Sequence, residues 1–214
     1  MKNILRQQKG FTLIEVMIVS AILSVVLIAV YSVTAYSQAI FQDGHSYQRL
    51  THASTQTLRS LSREIGQTSP NGVEHLSITA DGNANSVVVF QIPVDWDNDG
   101  DAITGNLSPI VEWGAYNSPG EMQDGRLGDW IAYYVDANTT QLIRELRDGI
   151  AGAAYAGTQQ VICNNALNFA AVQNGKSLNM TLTVQLTDTV GNLGQQKIHT
   201  QTFTSQTLLR NAVD

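Results

Sequence analysis

Two places in this chain hold residue types at spacings that chemistry can use. The first is the acidic run VDWDNDGD at residues 94–101, where Asp95, Asp97 and Asp99 alternate and Gly100 follows. Carboxylates at the first, third and fifth positions with glycine at the sixth match the first half of a calcium loop, in which oxygen ligands converge on a hard cation and glycine permits the turn. Asp101 adds a carboxylate or a carbonyl, and Glu112 is a candidate late ligand. The twelfth position is Asn106 in place of the bidentate Glu, and no helix pair frames the loop. So many acids repel one another without a cation. The run therefore reads either as a calcium site of Asp95, Asp97, Asp99 and Asp101 or as a solvated acidic turn.

The second place is Glu15, the one charged side chain in the 25 residues from Phe11 to Ala35. About 20 apolar helical residues cross a bilayer's hydrocarbon, so residues 11–35 read as a transmembrane helix. A carboxylate near the bilayer centre costs roughly 2.5–3.5 kcal/mol and less at the edge, so Glu15 needs a partner. No Lys or Arg lies between Phe11 and Arg49 to supply one. Cleavage after Gly10 would, because Phe11 would then carry a positive α-amine about 6 Å along the helix axis from Glu15. When such helices bundle, the carboxylate of one copy can neutralise the amine of another. A pair 4 Å apart is worth about 4 kcal/mol at an effective dielectric of 20, before desolvation. Glu15 thus reads as an assembly device, and a headgroup-snorkelling role is compatible with it.

Elsewhere the residues do not point to catalysis. His45, His52, His75 and His199 lack the spacing of a metal pair and read as surface or interface residues. Cys163, the only cysteine, excludes an internal disulfide and reads as a small apolar filler. Trp96, Trp113, Trp130, Tyr133 and Tyr134 fit a core or sheet face better than a sugar platform. The stretch 124–129, DGRLGD, reads as a turn with Arg126 solvated, and the glycine-rich 148–157 lacks the lysine of a phosphate loop.

The elements that hold these residues follow from hydrophobic period. Ile40, Tyr47, Leu50, Ser54, Leu58, Leu61 and Ile65 fall on one stripe, so a single helix is expected over residues 11–66, with Asp43 and Gly44 weakening its middle. Gly66 and the turn residues 69–72 end it. Beyond, strands are expected at 76–80, 86–93, 129–136, 141–146, 166–173, 176–186 and 196–204, with Asn174 and Gly175 closing a hairpin. Helix followed by strands predicts an α+β domain over residues 67–214, its antiparallel sheet crossed by the helix's second half.

Charge sets the orientation. Residues 1–10 hold Lys2, Arg6 and Lys9 and no acid, which places the N-terminus in the cytoplasm and the bulk of the chain outside. Without those residues the chain has 9 bases against 18 acids, a net charge of −9 in place of −6. Such a domain does not suit nucleic acid as a partner. A conventional secretory signal has an apolar region of about 7–15 residues, shorter than this one.

The stretch KGFTLIEVMIVSAIL resembles the type III signal and helix start of type IV pilins and type II secretion pseudopilins: a short basic leader ending in Gly, then Phe and, four places on, Glu. The resemblance implies a leader at residues 1–10, cleavage between Gly10 and Phe11 by a prepilin peptidase, N-methylation of Phe11, and assembly through Glu15 with other pilin or pseudopilin subunits. It also implies an inner-membrane precursor and a mature domain in the periplasm or an extracellular filament. The order of elements, with WIAYYVD and QLIREL, is similar to the larger minor subunits, the J-type pseudopilin and the W-type minor pilin. Absence of the disulfide common in major pilins fits a minor subunit, and pseudopilins include calcium-binding members. The expected function is that of a non-enzymatic minor pilin or pseudopilin. A single-pass anchored binding protein or enzyme acting without polymerisation is the alternative.

Overall fold

The computed structural model describes residues 11–69, 74–80, 86–104, 110–119, 125–190 and 195–210. The leader with Gly10, residues 70–72 of the expected turn, and Asn106 lie outside the described residues. The chain divides into two compact units, 1–45 with 190–195 and 46–189 with 196–214.

The helix α1 (Leu13–Ile65) is continuous over 53 residues and passes through Asp43 and Gly44 as helix. In the first unit its apolar side chains are exposed, Leu13, Ile14, Val25 and Ile28 among them, and it is long and apolar enough to cross a membrane. Its hydroxyls turn inward. Ser20 donates to the Met17 carbonyl, Ser24 to Ser20, Ser32 to Ile28 and Thr34 to Val30, at 2.8–2.9 Å. Each bond hides a polar group for which hydrocarbon offers no partner.

In the second unit the helix becomes amphipathic. Leu50, Ser54, Leu58, Leu61 and Ile65 are buried, as the stripe predicts, whereas Tyr47 is 54% exposed. The helix ends where the Gly66 N–H donates to the Ser62 carbonyl at 3.0 Å, which the Thr207 hydroxyl also reaches at 3.1 Å. A Cβ at Gly66 would stand 2.7 Å from that carbonyl, so glycine is required there.

The strands are β1 (Leu76–Ala80), β2 (Ser86–Phe90), β3 (Ile92–Pro93), β4 (Ile103–Thr104), β5 (Ile110–Val111), β6 (Trp113–Ala115), β7 (Arg126–Leu127), β8 (Trp130–Asp136), β9 (Gln141–Arg147), β10 (Gln160–Asn164), β11 (Ala166–Asn174), β12 (Ser177–Val190) and β13 (Gln195–Leu208). They form sheets in the orders β1-β2-β8-β9-β10, β11-β12-β13 and β3-β6-β7, with β4 and β5 as a separate pair. The pairs β1/β2, β2/β8, β8/β9, β9/β10, β11/β12, β3/β6, β6/β7 and β4/β5 are antiparallel. The expected hairpins at β8/β9 and β11/β12 are present, the second turning at Gly175 with φ 58°.

Two expectations about the strands and loops change. The run 86–93 is two strands, because the Gln91 side chain bonds His75 and the carbonyls of Gly128 and Asp129, and the chain passes from one sheet to the next there. Arg126 is not merely solvated: it begins β7, lies 3.7 Å from Asp129 and stands over the Tyr155 ring. The core joins Leu58, Leu61 and Ile65 of the helix to Val88, Phe90, Ile131, Leu142 and Leu146 of the large sheet and Phe169, Met180 and Leu182 of the second. The result is the α+β layout the pattern predicts.

Candidate functional site

Phe11 opens the described chain 85% exposed, and Thr12 and Glu15 close on each other behind it. The Thr12 N–H and hydroxyl both donate to Glu15 Oε2, at 2.9 and 3.0 Å, and the Glu15 N–H returns a bond to Thr12 Oγ1 at 3.4 Å. This is a capping box, with Thr12 as the cap of α1 and Glu15 in its first turn, where a carboxylate also meets the positive end of the helix dipole. Both bonds to the carboxylate fall on Oε2. Oε1 takes none among the described residues, so the acid caps its own helix through one oxygen alone. The sequence reading of Glu15 as stranded missed this, although Thr-x-x-Glu at a helix start is a legible signal.

The acidic run forms the loop between β3 and β4. Asn98 (φ 59°) and Gly100 (φ 101°) take left-handed backbone there and fold it tightly. Its amides bind its own acids. The Asp99 N–H donates to Asp95 Oδ1 at 3.1 Å and Asp97 Oδ1 at 3.3 Å, Gly100 to Asp95 Oδ2 at 3.0 Å, and Asp101 to Asp99 Oδ1 at 3.1 Å. Oxygens of Asp95, Asp97 and Asp99 lie within 4.8 Å of one another. Some loss of solvent, and then the charges of Asp99, Glu112 and Asp95, hold the Asp97 carboxyl above its ordinary range despite the Asp99 amide.

The donor set fits a hard cation, being all oxygen with the second oxygens of Asp97 and Asp99 bonded to nothing among the described residues. Asp101 is not gathered with the other three, because its Oδ1 accepts the Ile103 N–H at 2.7 Å. Glu112 lies buried at the base of the loop and accepts the Trp96 N–H at 3.4 Å.

The histidines and Cys163 form no metal cluster among the described residues. Cys163 is buried, and that burial raises its thiol pKa. His75 is half-buried and stacks on Trp113 at 4.1 Å between ring centres.

Residues 5–31 match the family model of the prokaryotic N-terminal methylation motif. No curated protein and no solved structure matches the chain. The matched segment spans Gly10, Phe11, the Thr12–Glu15 capping box and the apolar half of α1, so the residues of the processing signal and those of the membrane-capable helix coincide. That segment carries the processing signal of type IV pilin and pseudopilin precursors, the kind of signal a prepilin peptidase reads.

Proposed function

We propose that this protein is a minor pilin or pseudopilin, a structural subunit that joins a filament through α1. Prepilin peptidase cuts after Gly10 and methylates Phe11. The precursor sits in the inner membrane with its basic leader in the cytoplasm. After cleavage Glu15 Oε1 accepts the charged amine of a neighbouring subunit's first residue while Oε2 goes on capping its own helix. The exposed apolar side chains of the first unit exchange lipid for neighbouring helices, a step driven by packing. The mature domain then stands in the periplasm or in an extracellular filament. The observation that carries this reading is the methylation motif over residues 5–31 with Glu15 at the mouth of an otherwise uncharged helix. The acidic loop, on the same reading, holds calcium through Asp95, Asp97 and Asp99.

Mass spectrometry of the processed protein tests the first step: Phe11 is expected at the N-terminus with one added methyl. Filaments whose subunits retain residues 1–10 would refute it. Glu15→Ala is expected to remove the subunit from filaments, whereas a lone anchored protein would be indifferent to that change.

A further inference from the structure

Strand β13 is an edge of its three-stranded sheet. Three bonds along the β12/β13 pair and its end fix the register: the Leu209 N–H donates to the Lys176 carbonyl at 2.9 Å, the Thr183 and Thr202 hydroxyls share a bond at 3.0 Å, and Gln185 Nε2 donates to Thr200 Oγ1 at 3.2 Å. In that register the odd-numbered residues of β13 turn their N–H and C=O groups to β12, and the even-numbered residues turn theirs to the opposite side. Arg210, the next even position, donates its N–H on that side to the Gly66 carbonyl at 3.1 Å. The even positions from Gln196 to Gln206 have no such bond among the described residues. The strand is 14 residues long without a proline, and Lys197 is its one charged side chain, so little of the usual protection of an edge is present.

The far end of this edge opens into a cleft of about 570 Å³ between the last turn of α1, at Ser62 and Gly66, and the end of β13, at Gln206 and Leu208. Arg63 and Arg210 line it, and no carboxylate among the described residues does. Neither guanidinium belongs to an ion pair among the described residues. In a chain of 18 acids and 12 bases, a cleft of this charge selects an anion. A strand edge beside a helix, with cationic groups at one end, is the geometry in which an extended peptide adds to a sheet. Main-chain bonds then give affinity, and the end groups choose the partner.

We propose that the β13 edge receives an extended segment of another protein subunit as an added strand, and that a carboxylate on the segment lies between Arg63 and Arg210. The inference rests on the second unit and is independent of the processing signal and of Glu15.

The test uses the full chain in detergent micelles and a fluorescein-labelled peptide of alternating threonine and valine ending in two aspartates. In the free protein the even-numbered amides of β13 are expected to exchange with deuterium quickly; if they are already protected, the edge is covered and the proposal fails without any variant. Peptide binding is expected to slow exchange at those positions. Thr204→Pro removes an N–H that the fold does not use, as edge positions tolerate, so affinity should fall about tenfold or more with the melting temperature little changed. Arg63→Glu with Arg210→Glu should weaken this peptide to a similar degree and favour one ending in two lysines. Unchanged affinity in the charge-reversed protein, or protection confined to another strand, overturns the proposal.

Discussion

Arg144 on β9 and Glu64 in the last turn of α1 form an ion pair out of reach of water, with Nη2 2.7 Å from Oε1 and side-chain exposures of 0% and 4%. Each nitrogen of the guanidinium and each oxygen of the carboxylate has a partner. Nη1 and Nη2 also donate to the carbonyls of Asn117 and Tyr116, each at 2.8 Å, and the Tyr133 hydroxyl donates to Glu64 Oε2. One guanidinium thus ties the helix, β9 and the segment after β6 together, while Tyr133 adds β8.

Removing one partner strands the other as a buried charge, which costs about 3–5 kcal/mol. Arg144→Met is therefore expected to lower the urea midpoint steeply. Adding Glu64→Leu and Tyr133→Phe should recover part of the loss, and only part, because the carbonyls of Tyr116 and Asn117 stay unpartnered. An Arg144→Met protein as stable as its parent would show that the pair does not hold the helix.

The neighbouring tyrosines make a prediction at alkaline pH. Burial, and then the hydrogen bond to Glu145, push the Tyr134 hydroxyl up to about 12, and burial with the Glu64 charge raises Tyr133 well above the ordinary value. A raised pKa means the neutral form favours the fold. That contribution is whole below the unfolded value of about 10 and is lost as pH rises past it toward the folded value. In a tyrosinate absorbance titration a step is expected near pH 12, and Tyr134→Phe should delete it. Ionisation of every tyrosine near the unfolded value would contradict the burial.

The calcium prediction carries its own pH dependence. Because Asp97 is raised, its ionisation works against the empty loop as pH climbs, and a cation removes that opposition. The rise in melting temperature on adding calcium is expected to grow as pH increases through the carboxylate range. Asp95→Ala with Asp97→Ala should abolish it, whereas Asp101→Asn should leave most of it, since Asp101 faces Ile103. Equal melting in calcium and in chelator would leave an acidic turn held by its own amides.

Much of this was legible in the sequence, for physical reasons. A 3.6-residue stripe reports burial directly, and from Leu50 to Ile65 it does so correctly; at Tyr47 the apolar period runs on although the side chain is exposed. Gly175 marks its hairpin because few residues adopt the left-handed backbone it takes, while Asn174 stays in β11. Glu64 and Arg144 were invisible as a pair, since 80 residues separate them and each alone looks like an ordinary charge on an amphipathic element. The strands β3 to β7 have two or three residues each, too few to display a period, and β10 contains a bulge between Val161 and Cys163 that breaks alternation. At Glu15 the capping-box pattern Thr-x-x-Glu stands in the sequence, because the bonds that make it are local.

Those hydrogen bonds let the two duties of Glu15 be separated. Glutamine at the same position can still accept from Thr12, and it is the other residue that completes a capping box, but it brings no charge to a neighbour's amine. Alanine removes both. If the charge is what recruits the subunit, Glu15→Gln should be cleaved and methylated at Phe11 yet be as absent from filaments as Glu15→Ala. If the cap is what matters, Glu15→Gln should assemble like the parent and Thr12→Val should fail, since valine keeps the size of threonine and loses its hydroxyl. Losing an N-terminal cap costs about 1 kcal/mol, whereas an ion pair at low dielectric is worth several before desolvation. Filament fractions of the three variants, probed for this subunit, decide it: a Glu15→Gln subunit found in filaments at the parental level would remove the charge pair from the account of assembly.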